Sequence, residues 1–160
     1  MKMTQKEIIK GRLKNARGWL NEVLPRLTPE LLAWAPAEGV RTVAGQLVEI
    51  ISVEAQLVPA LKGGKLLTDE ELAGIANEES SLEVLLAALR DVRERTLGCL
   101  EGLSEADLAA DVTLPQWYGA FWLKSGPLGE HFRNIAEHEF YHAGQLITYL
   151  WVRGDNPYDW

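Results

Sequence analysis

Hydrophobic residues recur every three or four positions over four long stretches of the 160-residue chain. This spacing places them on one face of an α-helix. The stretches run from Thr4 to about Leu24, from near Thr42 to Gly63-Gly64, from after Ser80 to near Gly102, and from Gly126-Pro127 to just before Gly154. No stretch shows the alternation that is typical of a β-strand. The pattern predicts an all-α four-helix bundle, with residues 1–160 forming a single domain.

Helix-capping motifs mark several of the predicted helix starts. Thr4 with Glu7, and Thr68 with Glu71, have the spacing of a capping box, in which each side chain bonds to the backbone of the other residue. A similar motif begins at Ser104. Thr68 and Ser104 lie between the long stretches, so they predict short extra helical turns.

The segment from Val112 to Ser125 has no helical period and is rich in aromatic residues. The aromatic residues are Trp117, Tyr118, Phe121 and Trp122. An irregular loop of this length in a compact domain is often functional. We interpret the segment as a hydrophobic plug. The alternative is the lid of a pocket, which Trp117 and Trp122 would line.

Composition and charge limit which partners and which cellular location we expect. The net charge is −7 and no basic residues are clustered, so we expect no nucleic-acid partner. No stretch approaches the roughly 18 to 20 apolar residues of a membrane span, and the first residues do not resemble a signal peptide. We therefore expect a cytoplasmic protein without a membrane partner. The single cysteine, Cys99, excludes an intrachain disulfide.

A histidine pair lies on the last predicted helix. His138 and His142 are four residues apart, which places them on one helical face with Cβ atoms about 6 Å apart. The apolar stripe of this helix continues through Ile135, Leu146 and Tyr149, so both imidazoles point inward. An unpaired buried polar group costs roughly 2 to 7 kcal/mol, so these rings need partners. A shared metal ion is one such partner, and a carbonyl or carboxylate in the core is the alternative.

Two carboxylates of the second long helix are candidates to complete a metal site. Glu54 lies in the middle of the apolar stripe and Glu49 lies on its flank. They are separated by about 140° around the helix, so only one of them can face a given point. Periodicity alone favours Glu54, although Glu54 can instead pair with Arg93 of the third helix. His131 lies about 10 Å along the axis from His138, which is too far to share its ion.

Further motifs extend this pattern along the chain. Before and within the second helix they are Leu31, Trp34, Pro36, Glu38-Gly39, Thr42-Val43 and Leu47, with a ligand position seven residues after Thr42. In and after the last helix they are His138-x-x-x-His142-x-Gly144-Gln145-Leu146 and Gly154-x-x-Pro157. Their order and separation resemble the DinB-like superfamily, the four-helix bundles of the DinB and YfiT type. The likeness covers nearly the whole chain.

This resemblance implies a metal site and changes the preferred carboxylate. In the family three histidines hold a divalent metal, and the histidine of the second helix falls here at Glu49. The implied ligands are Glu49, His138 and His142, a set that suits zinc, nickel or iron with open positions for water or substrate. Alternatively, the replacement means that the metal site has degenerated. Gln145, Glu54 and Asn134 are candidates for contacts around the ligands.

The resemblance also implies an activity, although no catalytic residue can be assigned. It implies metal-dependent thiol transfer or hydrolysis of a small-molecule substrate, in some relatives with a low-molecular-weight thiol as co-substrate, and it implies a homodimer. The alternative is a non-enzymatic, stress-related binding or dimerisation bundle with a degenerate metal site.

Overall fold

The computed structural model describes residues 3–63, 65–114 and 123–160. Within these residues the chain forms six α-helices and two short strands. In order they are α1 (Gln5–Val23), α2 (Val43–Gly63), α3 (Asp69–Ile75), α4 (Leu82–Glu101), α5 (Glu105–Ala109), β1 (Asp111–Thr113), β2 (Ser125–Pro127) and α6 (Leu128–Val152). Single turns of 3-10 helix occur at Leu24–Arg26, Pro29–Leu31 and Pro157–Asp159.

The four long helices α1, α2, α4 and α6 form the predicted four-helix bundle. α6 packs along α1 and against α2, and α2 packs against α4. Each of these helices buries the apolar stripe that its sequence predicts, with Leu13, Leu47, Leu89 and Phe132 almost completely buried. Full burial of such a side chain contributes about 1.5 to 3 kcal/mol. This packing fixes α2 beside α6, the two helices that carry the candidate site.

Side-chain caps explain where most helices begin. Thr4, Thr68 and Ser104 each close a capping box at the start of α1, α3 and α5. The cap of α4 is Ser81, one residue beyond the Ser80 that the pattern suggested. These bonds satisfy backbone N–H groups that have no partner inside the helix.

Two short strands correct the expectation that β-structure is absent. β1 and β2 pair antiparallel, with Val112 opposite Gly126. Three residues are too few to show an alternating pattern, so the sequence gives no strand signal here. Because β2 includes Pro127, α6 starts at Leu128, later than predicted. The predicted aromatic plug or lid, with Trp117 and Trp122, lies outside the described residues.

Helix α2 corrects the expectation that no segment is long and apolar enough to span a membrane. Residues Val43–Lys62 of α2 have a mean hydropathy of 1.2 and are long and apolar enough to cross a membrane. Of the most apolar part of this segment, 67% is buried inside the bundle. Helices that are apolar on most sides occur both in membranes and in protein cores, and α2 has the surroundings of a core helix.

Candidate metal centre

Two neighbouring helices bring together the three residues that were predicted to bind a metal. Glu49 of α2 and His138 and His142 of α6 each offer one ligand atom, and these atoms all lie within 4.8 Å of one another. The His142 residue is 2% exposed, and the Glu49 side chain is 34% exposed. Ligands of a tetrahedral zinc ion lie about 2.0 to 2.2 Å from the ion and hence about 3.3 to 3.6 Å from one another. The donor set fits one divalent ion after small side-chain rotations.

The two imidazole rings face each other through the same nitrogen. Nε2 of His138 lies 3.0 Å from Nε2 of His142, and the ring planes are inclined at 71°. Two nitrogens at this distance can share only one proton, so one donates to the lone pair of the other. A divalent ion would accept both lone pairs at once. The facing nitrogens are therefore the feature of this cluster that best fits a metal.

A chain of hydrogen bonds fixes the proton position on His142. Nδ1 of His142 donates to Oε1 of Gln46, whose Nε2 donates to the Tyr149 hydroxyl at 2.9 Å. That hydroxyl donates to the backbone carbonyl of Arg41 at 2.9 Å. The carbonyl can only accept, which sets the direction of every bond in the chain. Nε2 of His142 is thus left with its lone pair, which is directed at His138.

Burial and a neighbouring guanidinium favour the neutral form of both histidines. Burial, followed by His142 and Arg41, lowers the pKa of His138 to about 3. Burial, followed by Arg41, lowers the pKa of His142 to about 4, against an opposing effect of Gln145. Neutral imidazole is the form that binds a metal. Both rings are therefore neutral at neutral pH, which is the protonation state that metal binding requires.

Arg41 forms an ion pair with the candidate carboxylate ligand. Its Nη2 donates to Oε2 of Glu49 at 3.1 Å. The two side chains are 54% and 34% exposed, and an ion pair so accessible to water contributes only about 0.2 to 1 kcal/mol. Arg41 has no signal in the sequence, because it precedes α2 and has no place in the helical period.

Two amide atoms near the histidines have no hydrogen-bond partner among the described residues. They are Nδ2 of Asn134 and Oε1 of Gln145. Helical spacing places both residues on the side of α6 that carries His138. Buried amide atoms are normally satisfied by protein or water. The contacts that were predicted for Asn134 and Gln145 around the ligands stay a prediction.

Glu54 lies in a buried ion network that joins all four long helices. Arg93 of α4 donates to both of its carboxylate oxygens, at 2.7 and 3.0 Å. Glu139 of α6 accepts from Arg93 and from Arg17 of α1. Two cations and two anions balance one another in this network. This is the pairing with Arg93 that the sequence offered as the alternative role of Glu54.

His131 has a separate partner at the end of the bundle. Its Nε2 is 3.2 Å from the carbonyl oxygen of Val112 and donates to it, which ties α6 to β1. The ring is buried. His131 therefore makes a structural hydrogen bond away from the histidine pair. Its position one heptad before His138 predicts this separation.

A family model described as the DinB superfamily matches residues 12–146. The chain belongs to the DinB superfamily. The match includes α2 and α6 as far as Leu146, and hence Glu49 and both histidines. It confirms the family that the sequence motifs resemble. Comparison with curated proteins gives no match.

Solved structures of DinB-like and related proteins share this fold. The colibactin self-resistance protein ClbS, in complex with dsDNA, is 20% identical with a TM-score of 0.67, over 91% of this chain and 95% of that one. A DinB-like protein, YjoA of Bacillus subtilis, is 21% identical with a TM-score of 0.65, over 93% of each chain. The sibling lethal factor precursor DfsB is 19% identical with a TM-score of 0.69, over 95% and 98% of the two chains.

The ClbS structure corrects the expectation that nucleic acid is excluded as a partner. That expectation rested on a net charge of −7 and on the lack of a basic cluster in the sequence. A protein of the same fold has nevertheless been crystallised with dsDNA. Net charge is a sum over the whole surface, whereas a nucleic acid responds to the local potential where it binds. The exclusion is therefore wrong.

Proposed function

We propose that this member of the DinB superfamily binds one divalent metal ion through Glu49, His138 and His142. The observation that carries the proposal is the pair of facing Nε2 atoms with a carboxylate oxygen within 4.8 Å. Two imidazoles and one carboxylate form a common catalytic set for zinc and also suit iron or nickel, with positions left open for water or substrate. A cytoplasmic location is part of the same proposal.

The reaction class that we propose is metal-dependent thiol transfer or hydrolysis. A bound divalent ion supplies Lewis acidity, which favours the thiolate form of a thiol or the hydroxide form of water at neutral pH. The protein's own part is to position the groups: Gln46 orients His142, and the amides of Asn134 and Gln145 offer polar contacts to a substrate. A low-molecular-weight thiol is the proposed nucleophile for transfer, and water is the nucleophile for hydrolysis.

Metal content tests the ligand assignment. The chain is purified without a histidine tag, loaded with zinc, desalted and analysed by inductively coupled plasma mass spectrometry. We expect about one ion per chain, and loss of that ion in Glu49→Ala and His142→Ala. Glu137→Ala is the matched control, because its carboxylate lies next to His138 in sequence but its side chain is 63% exposed. Undiminished metal in both site variants would overturn the proposal.

The alternative is a binding bundle without a metal. It is favoured by the ion pair with Arg41, which gives the Glu49 carboxylate a cationic partner without any metal. In that case neither chelator nor added zinc changes the melting temperature, and the site variants behave like the control.

A further inference from the structure

We infer that Arg41 competes with the metal for Glu49 and, once displaced, binds the anionic group of the ligand that enters the metal-loaded site. The ligand class is a small oxyanion, meaning a molecule with a carboxylate or phosphate group. This inference rests on the proposed metal function and extends it to a residue outside the ligand set.

Arg41 is attached to the candidate metal centre at both its side chain and its backbone. Its guanidinium holds Glu49 at 3.1 Å. Its carbonyl oxygen accepts the hydroxyl of Tyr149, which is joined through Gln46 to Nδ1 of His142. One residue thus contacts the carboxylate ligand directly and an imidazole ligand through two side chains. The arrangement holds the Arg41 backbone in place even when its side chain moves.

The Arg41–Glu49 ion pair is weak enough for a metal to replace it. Both side chains are partly exposed, so water screens the pair. A divalent ion carries twice the charge of a guanidinium and forms direct bonds to the carboxylate oxygen. The carboxylate therefore exchanges one cation for another when the metal binds, and the guanidinium loses its partner.

The charge of the site changes sharply when this exchange occurs. Without metal, the charges of Arg41 and Glu49 cancel beside two neutral imidazoles. With a divalent ion, the same four residues and the ion carry a net charge of about +2. A planar guanidinium next to a divalent ion is suited to a carboxylate or phosphate group, which it can bind through two N–H donors.

Metal affinity tests the competition. Zinc is titrated against a chromophoric chelator into the wild type, Arg41→Gln and Arg41→Lys at low and high ionic strength. We expect Arg41→Gln to bind zinc about 2- to 5-fold more tightly at low salt, and the gain to shrink when salt screens the lost charge. Arg41→Lys keeps the charge and should resemble the wild type. In a Glu49→His background the gain should be smaller, because a neutral ligand at position 49 has no charge for Arg41 to hold.

Phosphate binding tests the second part of the inference. The cobalt(II)-loaded proteins are titrated with inorganic phosphate, and the visible absorption of the bound cobalt is followed. We expect Arg41→Gln to bind phosphate about 10-fold more weakly than the wild type, with part of the affinity kept in Arg41→Lys. Circular dichroism and thermal melting verify that each variant is folded.

The outcomes separate this inference from the proposed function. If the wild type binds zinc and Arg41→Gln shows the same zinc affinity or the same phosphate affinity, the inference fails while the metal function stands. If folded wild type and folded Arg41→Gln both bind no metal, both proposals fail. If only Arg41→Gln binds metal under matched conditions, Arg41 blocks the site instead of being displaced by the metal, and both the inference and the proposed function fail for the wild type.

Discussion

At the scale of single residues, Gln46 determines how His142 presents its lone pair. We expect Gln46→Leu to lower zinc affinity about 10-fold or more, because the ring loses the acceptor that holds the proton on Nδ1. Gln56→Leu is the matched control, since Gln56 is also a buried glutamine of α2 but bonds to the backbone of Leu67. Isothermal titration calorimetry measures the zinc affinity of both variants. An equal loss in the two variants would show that general destabilisation is the cause.

The sequence predicted part of this residue-scale arrangement. The i,i+4 spacing of His138 and His142 indicated a shared face, and the structure brings their Nε2 atoms to 3.0 Å. The choice of Glu49 over Glu54 came only from the family resemblance, because periodicity describes one helix and not which neighbour it faces. The contacts of Gln46 and Arg41 depend on side chains that meet across α2 and α6. No single-helix pattern encodes such contacts.

At the scale of the helices, the buried ion network links the elements of the bundle. Arg17, Glu54, Arg93 and Glu139 come one from each long helix. Helical periodicity places them on inward faces but cannot say how they pair, and the sequence anticipated only the contact between Glu54 and Arg93. Each charge can be buried because its ion-pair partners offset the free-energy cost of removing it from water.

Arg93 is the residue whose loss should most disturb this network. Arg93→Met leaves Glu54 and Glu139 buried with only Arg17 to balance them, so we expect a loss of about 3 to 5 kcal/mol in the free energy of unfolding. Arg95→Met, two residues along the same helix and exposed, should change it by less than about 0.5 kcal/mol. Urea unfolding measures the free energy of unfolding of both variants. Similarly small losses in the free energy of unfolding of both variants would mean that Arg93 contributes little to the stability of the bundle.

At the scale of the whole molecule, the folded state should resist protonation of the histidine pair. The pKa of His138 and His142 is about 3 and about 4 in the folded protein, against about 6.5 in an unfolded chain. As the pH falls below about 6.5, the unfolded chain takes up protons that the native state does not, so stability decreases with falling pH. The contribution of the two histidines to the free energy of unfolding becomes constant only at pH values below their pKa values in the folded protein.

Unfolding in urea with chelator present, at pH 7, 6 and 5, measures this dependence. We expect the free energy of unfolding to decrease at each step, and the decrease to be shallower in His138→Gln, which lacks one of the two groups. Carboxylates with lowered pKa values, such as Glu71 and Asp107, act mainly below pH 5 and therefore interfere little. Parallel pH profiles for the two proteins would contradict the assignment.

Metal removal tests whether the site joins two helices of the bundle, as its ligands on α2 and α6 imply. A ligand that binds only the native state stabilises it by about 2.7 kcal/mol at a free concentration 100 times its dissociation constant. For a chain of this length that corresponds to about 5 to 10 °C in Tm. Differential scanning calorimetry should show this drop when chelator is added to the zinc-loaded protein and to Glu137→Ala. It should show no drop in Glu49→Ala. If Glu49→Ala loses as much Tm as the wild type, the metal binds elsewhere, because a site without its α2 ligand cannot tie α2 to α6.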